Sequence, residues 1–141
     1  MQFWIEGTMM EGDRVEQGLR PPNGLVWSRQ VQEMVVFDEL IGNVDRNPGN
    51  MLIDADWNVW LIDHTRAFQQ GDELRNPSGV RMVRRGFWDA IRALDRGSAE
   101  QAVGDAVDAN ALDNLFKRRD QLVAHLQGLI EQRGEGAVVW E

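Results

Sequence analysis

Apolar residues recur every three or four positions across residues 25–41, which is the spacing of one face of an α-helix. A Gly-Asn pair follows, and such a pair commonly ends helices, so the pattern predicts a helix of about four turns. The first apolar run, residues 1–5, is typical of a short strand. Residues 7–23 lie between these elements and hold three glycines and two prolines among charges, which indicates a loop with at most one short helical turn.

A polar loop and a hairpin follow the helix. Residues 43–50 are rich in Asn, Pro and Gly and are predicted to be a loop. Two apolar runs, residues 51–53 and 59–62, flank a polar turn and predict a β-hairpin. The turn begins like a calcium loop, but Val59 and Thr65 stand where that loop needs Gly and Glu, so a hairpin turn is the remaining interpretation.

Helical periodicity returns after an irregular segment, residues 64–81, that contains Gly and Pro. Three further helices are predicted at residues 83–94, 99–107 and 111–132, and the apolar tail, residues 137–140, is predicted to be a terminal strand. This order of elements predicts one α+β domain, residues 1–141, that is mostly helical.

Composition agrees with a folded domain and excludes several kinds of chemistry. The 141 residues are 43% hydrophobic, and the formal net charge of −8 argues against a surface dedicated to nucleic acid. The apolar runs fall far short of the roughly 20 residues of a membrane helix, and the chain does not start like an export signal, so a cytoplasmic location is expected. Without cysteine, disulfides, thiol catalysis and cysteine-bound metals are excluded.

Three polar side chains are predicted to meet at the mouth of the hairpin: Asp45, Asn50 and Asp63. The loop places Asp45 early and Asn50 late, and the returning second strand brings Asp63 beside Asn50. Carboxylate and carboxamide oxygens suit Mg²⁺ or Mn²⁺, whose shell is commonly completed by phosphates of a nucleotide. Asp45 is then placed to orient an attacking hydroxyl or accept its proton. The alternative is a capped turn, in which these side chains bond local backbone.

The same residues carry a family resemblance. The segment D-R-N-P-G-N at residues 45–50, the hairpin, and Ile62-Asp63-His64 resemble the catalytic loop and metal-binding motif of the protein-kinase-like superfamily, with the same interval between Asp and Asn. The D-R-N-x-x-N form and the continuation I-D-x-x-x-A-F most resemble phosphatidylinositol 3- and 4-kinases, the type II phosphatidylinositol 4-kinases among them, and related atypical kinases. The resemblance covers about residues 1–68.

This resemblance implies a kinase C-terminal lobe, in which a catalytic loop and a short hairpin pack on several helices. The lobe would transfer the γ-phosphoryl group of ATP to a hydroxyl of a lipid, a protein or a small molecule. Asp45 would be the catalytic residue, and Asn50 and Asp63 would hold Mg²⁺ or Mn²⁺. A hinge that contacts adenine through its backbone would be formed by Phe3, Trp4, Ile5 and Glu6.

Other polar residues have two interpretations each. Arg46 is a candidate for an accessory phosphate contact, with a salt bridge to Asp38 or Glu39 as the alternative. His64 could likewise contact a phosphate or orient Asp63, or make a structural hydrogen bond. A basic cluster further along the chain could attract an anionic substrate or a lipid head group, or could be a solvated helix end. It consists of Arg81, Arg84 and Arg85.

The chain departs from the superfamily in its cations. A kinase of this type grips the ATP phosphates with a lysine on a strand of an upstream lobe. Here fourteen arginines accompany a single lysine, Lys117, in a predicted helix far downstream of Asp63. We therefore expect a lobe without its phosphate-gripping partner, as a fragment, a misassigned start or a natural truncation, with little turnover alone. The alternatives are a non-catalytic regulatory module that binds nucleotide or metal, and a structural interaction domain.

Overall fold

The computed structural model describes residues 7–44, 46–62, 67–68 and 71–141, and within them the predicted α+β, mostly helical class is confirmed. The predicted strand at residues 1–5 lies outside these ranges. The helices are α1 (Glu11–Glu16), α2 (Gly24–Ile41), α3 (Arg85–Ala93), α4 (Arg96–Val103), α5 (Ala109–Arg133) and α6 (Glu135–Val138). The strands are β1 (Met9–Met10), β2 (Met51–Ile53), β3 (Val59–Leu61), β4 (Val83–Arg84) and β5 (Val139–Trp140).

Helix α2 agrees with its predicted bounds to within one residue, because local signals mark both of its ends. The Asn23 side chain accepts hydrogen bonds from the backbone N–H groups of Leu25 and Val26, at 3.1 and 3.2 Å, and so caps the first turn. At the other end Gly42 adopts a left-handed conformation with φ of 64°, which glycine reaches without steric cost. The chain therefore leaves α2 at a defined point and enters the polar loop.

The predicted hairpin is present as β2 and β3, an antiparallel pair in which Leu52 lies opposite Trp60. Strand β1 extends this sheet on the other side of β2, with Met9 opposite Ile53. The sequence pattern assigned Met9 to a loop, and this was wrong because a two-residue strand has no periodicity of its own. The helical turn allowed for in the same segment is α1.

Helix α2 holds the hairpin through the side chain of Gln30 and through an aromatic contact. The Gln30 side chain donates to the Trp57 carbonyl and accepts from the Val59 N–H, both at 2.8 Å. The Trp27 and Trp57 rings meet edge to face, with centroids 6.0 Å apart and planes at 84°. These contacts orient the hairpin so that its open end faces the loop that follows α2.

The C-terminal half differs from its predicted bounds mainly where strands are short. The predicted helix at residues 83–94 begins with two residues of strand, because β4 pairs in parallel with β5. Helix α4 begins three residues earlier than predicted, where Asp95 caps it. Helix α5 begins two residues earlier, where Asp108 caps it. In the tail, only the last two of residues 137–140 form the predicted strand, while the preceding residues close the helical turn α6.

A hydrophobic core cluster packs α2, α3 and α5 against the β4–β5 pair. Among its fully buried members are Val36, Trp88, Leu122 and Leu126. Each such side chain contributes roughly 1.5–3 kcal/mol through burial of apolar surface. Among the described residues, no helix is both long enough and apolar enough to cross a lipid bilayer.

Buried polar side chains fasten the irregular segment to this core. Glu39 accepts the backbone N–H groups of Arg75 and Asn76, both at 2.9 Å. The fully buried Arg118 donates to the carbonyls of Leu40 and Gly71. Burial lowers the pKa of Arg118 from its usual value, and the negative charge of Glu39 opposes that shift. These hydrogen bonds tie residues 71–76 of the irregular segment to α2 and α5.

Candidate functional site

The polar loop after α2 is shaped by a reciprocal pair of asparagines. Its end forms a 3-10 turn, Pro48–Asn50, that leads directly into β2. The Asn47 side chain accepts from the Gly49 N–H at 2.8 Å, and the Asn50 Oδ1 accepts from the Asn47 N–H at 3.0 Å. This is a capping box with amide side chains. It determines the direction of the Asn50 carboxamide, which is almost completely buried.

Arg46 lies at the centre of the described part of the site. Its Nε and Nη2 atoms donate to the two carboxylate oxygens of Asp38, both at 2.8 Å. Its Nη1 lies 3.2 Å from the Asn50 carbonyl oxygen, 3.3 Å from Asn50 Oδ1 and 3.4 Å from the Ile62 carbonyl oxygen. One guanidinium therefore joins the end of α2, the loop and the end of the hairpin. Of the two interpretations of Arg46, this geometry matches the salt bridge to Asp38.

The hairpin returns to the loop at Ile62. The Ile62 N–H donates to the Asn50 carbonyl at 3.0 Å, just beyond the β2–β3 pairing. The structure thus brings together Asn50, Arg46 and the residue that directly precedes Asp63 in the sequence. Asp45, Asp63 and His64 lie outside the described residues, as do the predicted hinge residues Phe3, Trp4, Ile5 and Glu6.

The described oxygen atoms of the loop supply part of what Mg²⁺ or Mn²⁺ requires. Asn50 contributes one oxygen of the right kind, Oδ1, which accepts from the Asn47 N–H at 3.0 Å and lies 3.3 Å from Arg46 Nη1. Asp38 neutralises the nearby guanidinium, so the loop presents no net positive charge there that would repel a cation. Among the described residues, no group of three or more acidic, His or Cys side chains could hold a metal. The carboxylate ligand Asp63 and the catalytic Asp45 lie outside the described residues and remain predictions.

The sequence pattern did not indicate Arg75 as a residue of this region. Arg75 Nη1 donates to the Val44 carbonyl at 2.8 Å, which fastens the start of the loop to the irregular segment. Glu39 binds the Arg75 backbone and so positions it. Arg75 and Val44 are 31 residues apart in the sequence, so no local motif marks the pair.

The Asp54 carboxylate shapes the hairpin turn. Asp54 accepts hydrogen bonds from the N–H groups of Asp56 and Asn58, both at 2.9 Å, and from Trp60 Nε1 at 3.0 Å. These donors, Trp60 foremost, lower the pKa of the Asp54 carboxyl from its usual value. Asp54 is therefore used in shaping the turn, which matches the interpretation of this segment as a hairpin turn.

The only lysine of the chain is remote from the loop. Lys117 lies on α5, as predicted, and its Nζ is 3.8 Å from a carboxylate oxygen of Asp72 in an exposed pair. It occupies no strand and makes no described contact with Arg46 or Asn50. A phosphate-gripping role for Lys117 is thus unsupported.

Comparison with known protein families finds none that matches this chain, and comparison with curated proteins finds no similar sequence. The motif spacing and the geometry around Arg46 and Asn50 are therefore the grounds for assigning a function.

Proposed function

We propose that this chain is the metal-holding C-terminal lobe of an ATP-dependent phosphotransferase, of the phosphatidylinositol-kinase-like or atypical protein kinase type. The observation that carries the proposal is the network around Arg46. It joins the end of α2, the Asn50 side chain and Ile62 within hydrogen-bonding distance. A catalytic loop followed by a metal-binding hairpin needs this juxtaposition, and the motif spacing in the sequence requires the same order.

Each motif residue has a role in the proposed reaction. Asp45 orients the acceptor hydroxyl and accepts its proton as the phosphoryl group transfers. Asn50 and Asp63 hold Mg²⁺ or Mn²⁺, which when bound neutralises charge on the phosphates. The backbone of residues 3–6 contacts adenine, and His64 is an accessory residue near the phosphates.

The contacts of the two arginines near the loop bear on how much activity we expect from the chain by itself. The charge of Arg46 is already paired with the Asp38 carboxylate, and one donor of Arg75, Nη1, is held by the Val44 carbonyl. We therefore expect little or no phosphoryl transfer by this chain alone. The same observation favours one alternative, a regulatory module that binds nucleotide and metal without transfer.

Calorimetry with Mn²⁺ and ATP on the full chain tests the proposal. The variants are Asp63→Ala and Asn50→Ala, which remove the proposed ligands. Asp56→Ala is the matched control, because it removes a carboxylate from the exposed turn of the same hairpin. We expect saturable binding by the natural chain and by Asp56→Ala, and loss of at least about tenfold in affinity in the two ligand variants.

A transfer assay with labelled ATP and lipid, protein or small-molecule acceptors separates the remaining cases. Transfer that Asp45→Asn abolishes, with Mn²⁺–ATP binding retained, supports the phosphotransferase. Binding without transfer to any acceptor supports the regulatory module. Absence of Mn²⁺–ATP binding by a chain that circular dichroism shows to be folded would refute both, and would leave a structural interaction domain.

A further inference from the structure

A second candidate site lies at the other end of α2. A cavity of about 350 Å³ opens between the first half of α2, the residues that precede β4, and the end of α5. Its walls combine apolar side chains with Ser28 and two arginines, Arg81 and Arg133. Ser28 precedes the end of α2 by thirteen residues, or about 20 Å along the helix axis. The cavity is therefore separate from the loop around Asn50.

The two arginines of this cavity make no ion pair with the residues that the structure describes. Within the described ranges, the guanidinium groups of Arg81 and Arg133 have neither a hydrogen-bond partner nor an ion-pair partner. Three carboxylates, those of Glu33, Glu135 and Glu141, pair instead with the other members of the basic cluster. Arg84 pairs with Glu33 at 3.0 Å, and Arg85 pairs with Glu135 and Glu141 at 2.7 and 3.3 Å.

A buried glutamine positions the rim of the cavity. Gln32 Oε1 accepts the backbone N–H groups of Arg81 and Met82, at 2.9 and 3.2 Å, and its Nε2 donates to the Gly79 carbonyl at 3.0 Å. Ser28 precedes Gln32 by four residues and so lies on the same face of α2. The backbone that carries Arg81 is consequently held beside Ser28 before any ligand arrives.

We propose that this cavity binds a small phosphate monoester with an apolar body. Two guanidinium groups match a phosphate dianion in charge, and arginine binds phosphate oxygens through paired N–H donors. The Ser28 hydroxyl supplies a further donor, and Trp27, Val31 and Met82 provide apolar surface for the body of the ligand. The cavity volume is at the lower end of those of small-molecule sites, so the ligand is compact. This inference does not depend on the proposed function.

Calorimetry with phenyl phosphate on the full chain, at low ionic strength, tests this site. We expect saturable binding with a Kd below about 1 mM. Arg81→Gln and Arg133→Gln should each weaken it by at least about tenfold, because each removes a charge-assisted contact. The matched control is Arg20→Gln, which removes the same charge from an exposed arginine outside the cavity. Inorganic phosphate should bind more weakly than phenyl phosphate, since it lacks the apolar body.

Three outcomes would overturn the inference. One is the absence of saturable binding by the natural chain up to about 10 mM phenyl phosphate. A second is an equal loss of affinity in Arg20→Gln, because binding would then follow overall charge. A third is equal affinity for inorganic phosphate, because the apolar walls would then contribute nothing. Both cavity arginines are exposed, so circular dichroism should show folded variants, and either variant alone decides the test.

Discussion

The pair of Arg46 and Asp38 should contribute more to stability than any exposed ion pair of this protein. Its two side chains are only 10% and 12% exposed, and two parallel N–H···O bonds of 2.8 Å join them. Removing one partner of such a pair leaves a charge with little access to water, which costs 3–5 kcal/mol when burial is complete. We expect Arg46→Ala and Asp38→Ala each to lower the unfolding free energy by about 3 kcal/mol.

The double variant isolates the interaction between the two side chains. It should lose about 4 kcal/mol in total, because neither charge is then left unpaired, and this corresponds to a coupling free energy of about 2 kcal/mol. Urea denaturation followed by circular dichroism measures all four proteins. The matched control is the cycle for Arg84 and Glu33, whose side chains are 47% and 36% exposed, and whose coupling should be below about 1 kcal/mol.

A coupling for Arg46 and Asp38 that is no larger than the control would refute this reasoning. It would mean that water screens the charges of Arg46 and Asp38 as effectively as it screens an exposed ion pair. The end of α2, Asn50 and Ile62 would then be joined by a contact of little energetic weight. The proposed site would in that case lack the rigid support that the geometry around Arg46 indicates.

Three further changes test the packing, the polar fastening and the capping of the fold. Leu126→Ala should lower the unfolding free energy by about 3 kcal/mol in urea denaturation, because Leu126 is fully buried, whereas Leu25→Ala at an exposed position should change it by less than about 0.5 kcal/mol. Gln32→Leu should cost about 2 kcal/mol by the same measurement, because it leaves three backbone groups without their partner. Hydrogen bonds from Ser98 lower the pKa of Asp95, so this cap stabilises the fold above the ordinary pKa of Asp and loses its effect as pH falls through the lowered value. The melting temperature of Asp95→Ala should accordingly lie below that of the natural chain at neutral pH and approach it in strong acid.

Helix α2 and the hairpin were predictable because the signals for them are local. A helix of five turns repeats its apolar face several times, and Gly42 marks its end. The hairpin needs only two apolar runs and a polar turn between them. Neither prediction requires knowledge of what the element packs against.

Strands β1 and β4 were missed for the opposite reason. Each has two residues, and each is a strand only because a distant segment pairs with it. Met9 lies opposite Ile53, and Val83 lies opposite Val139, so the pairing partners are separated by more than forty residues. A segment of two residues contains no periodic pattern from which such a pairing could be predicted.

For the candidate site, the sequence by itself determined the order and spacing of Asp45, Asn50 and Asp63, and hence the chemistry that is proposed. Only the tertiary structure decided the partner of Arg46, which the sequence left open between Asp38, Glu39 and a phosphate. Arg46 binds Asp38, whereas the Glu39 side chain points in a different direction and binds the irregular segment. The reason is that adjacent residues of α2 point about 100° apart around the helix.

The basic cluster shows the same division between sequence and tertiary structure. Along the chain, Arg81, Arg84 and Arg85 are close neighbours of equal charge. In the fold, Arg84 meets an acid from α2 and Arg85 meets acids from the C-terminal segment, while Arg81 lines a cavity. The sequence determines the number and order of the charges. Whether a charge is neutralised depends on which distant segments the fold places beside it.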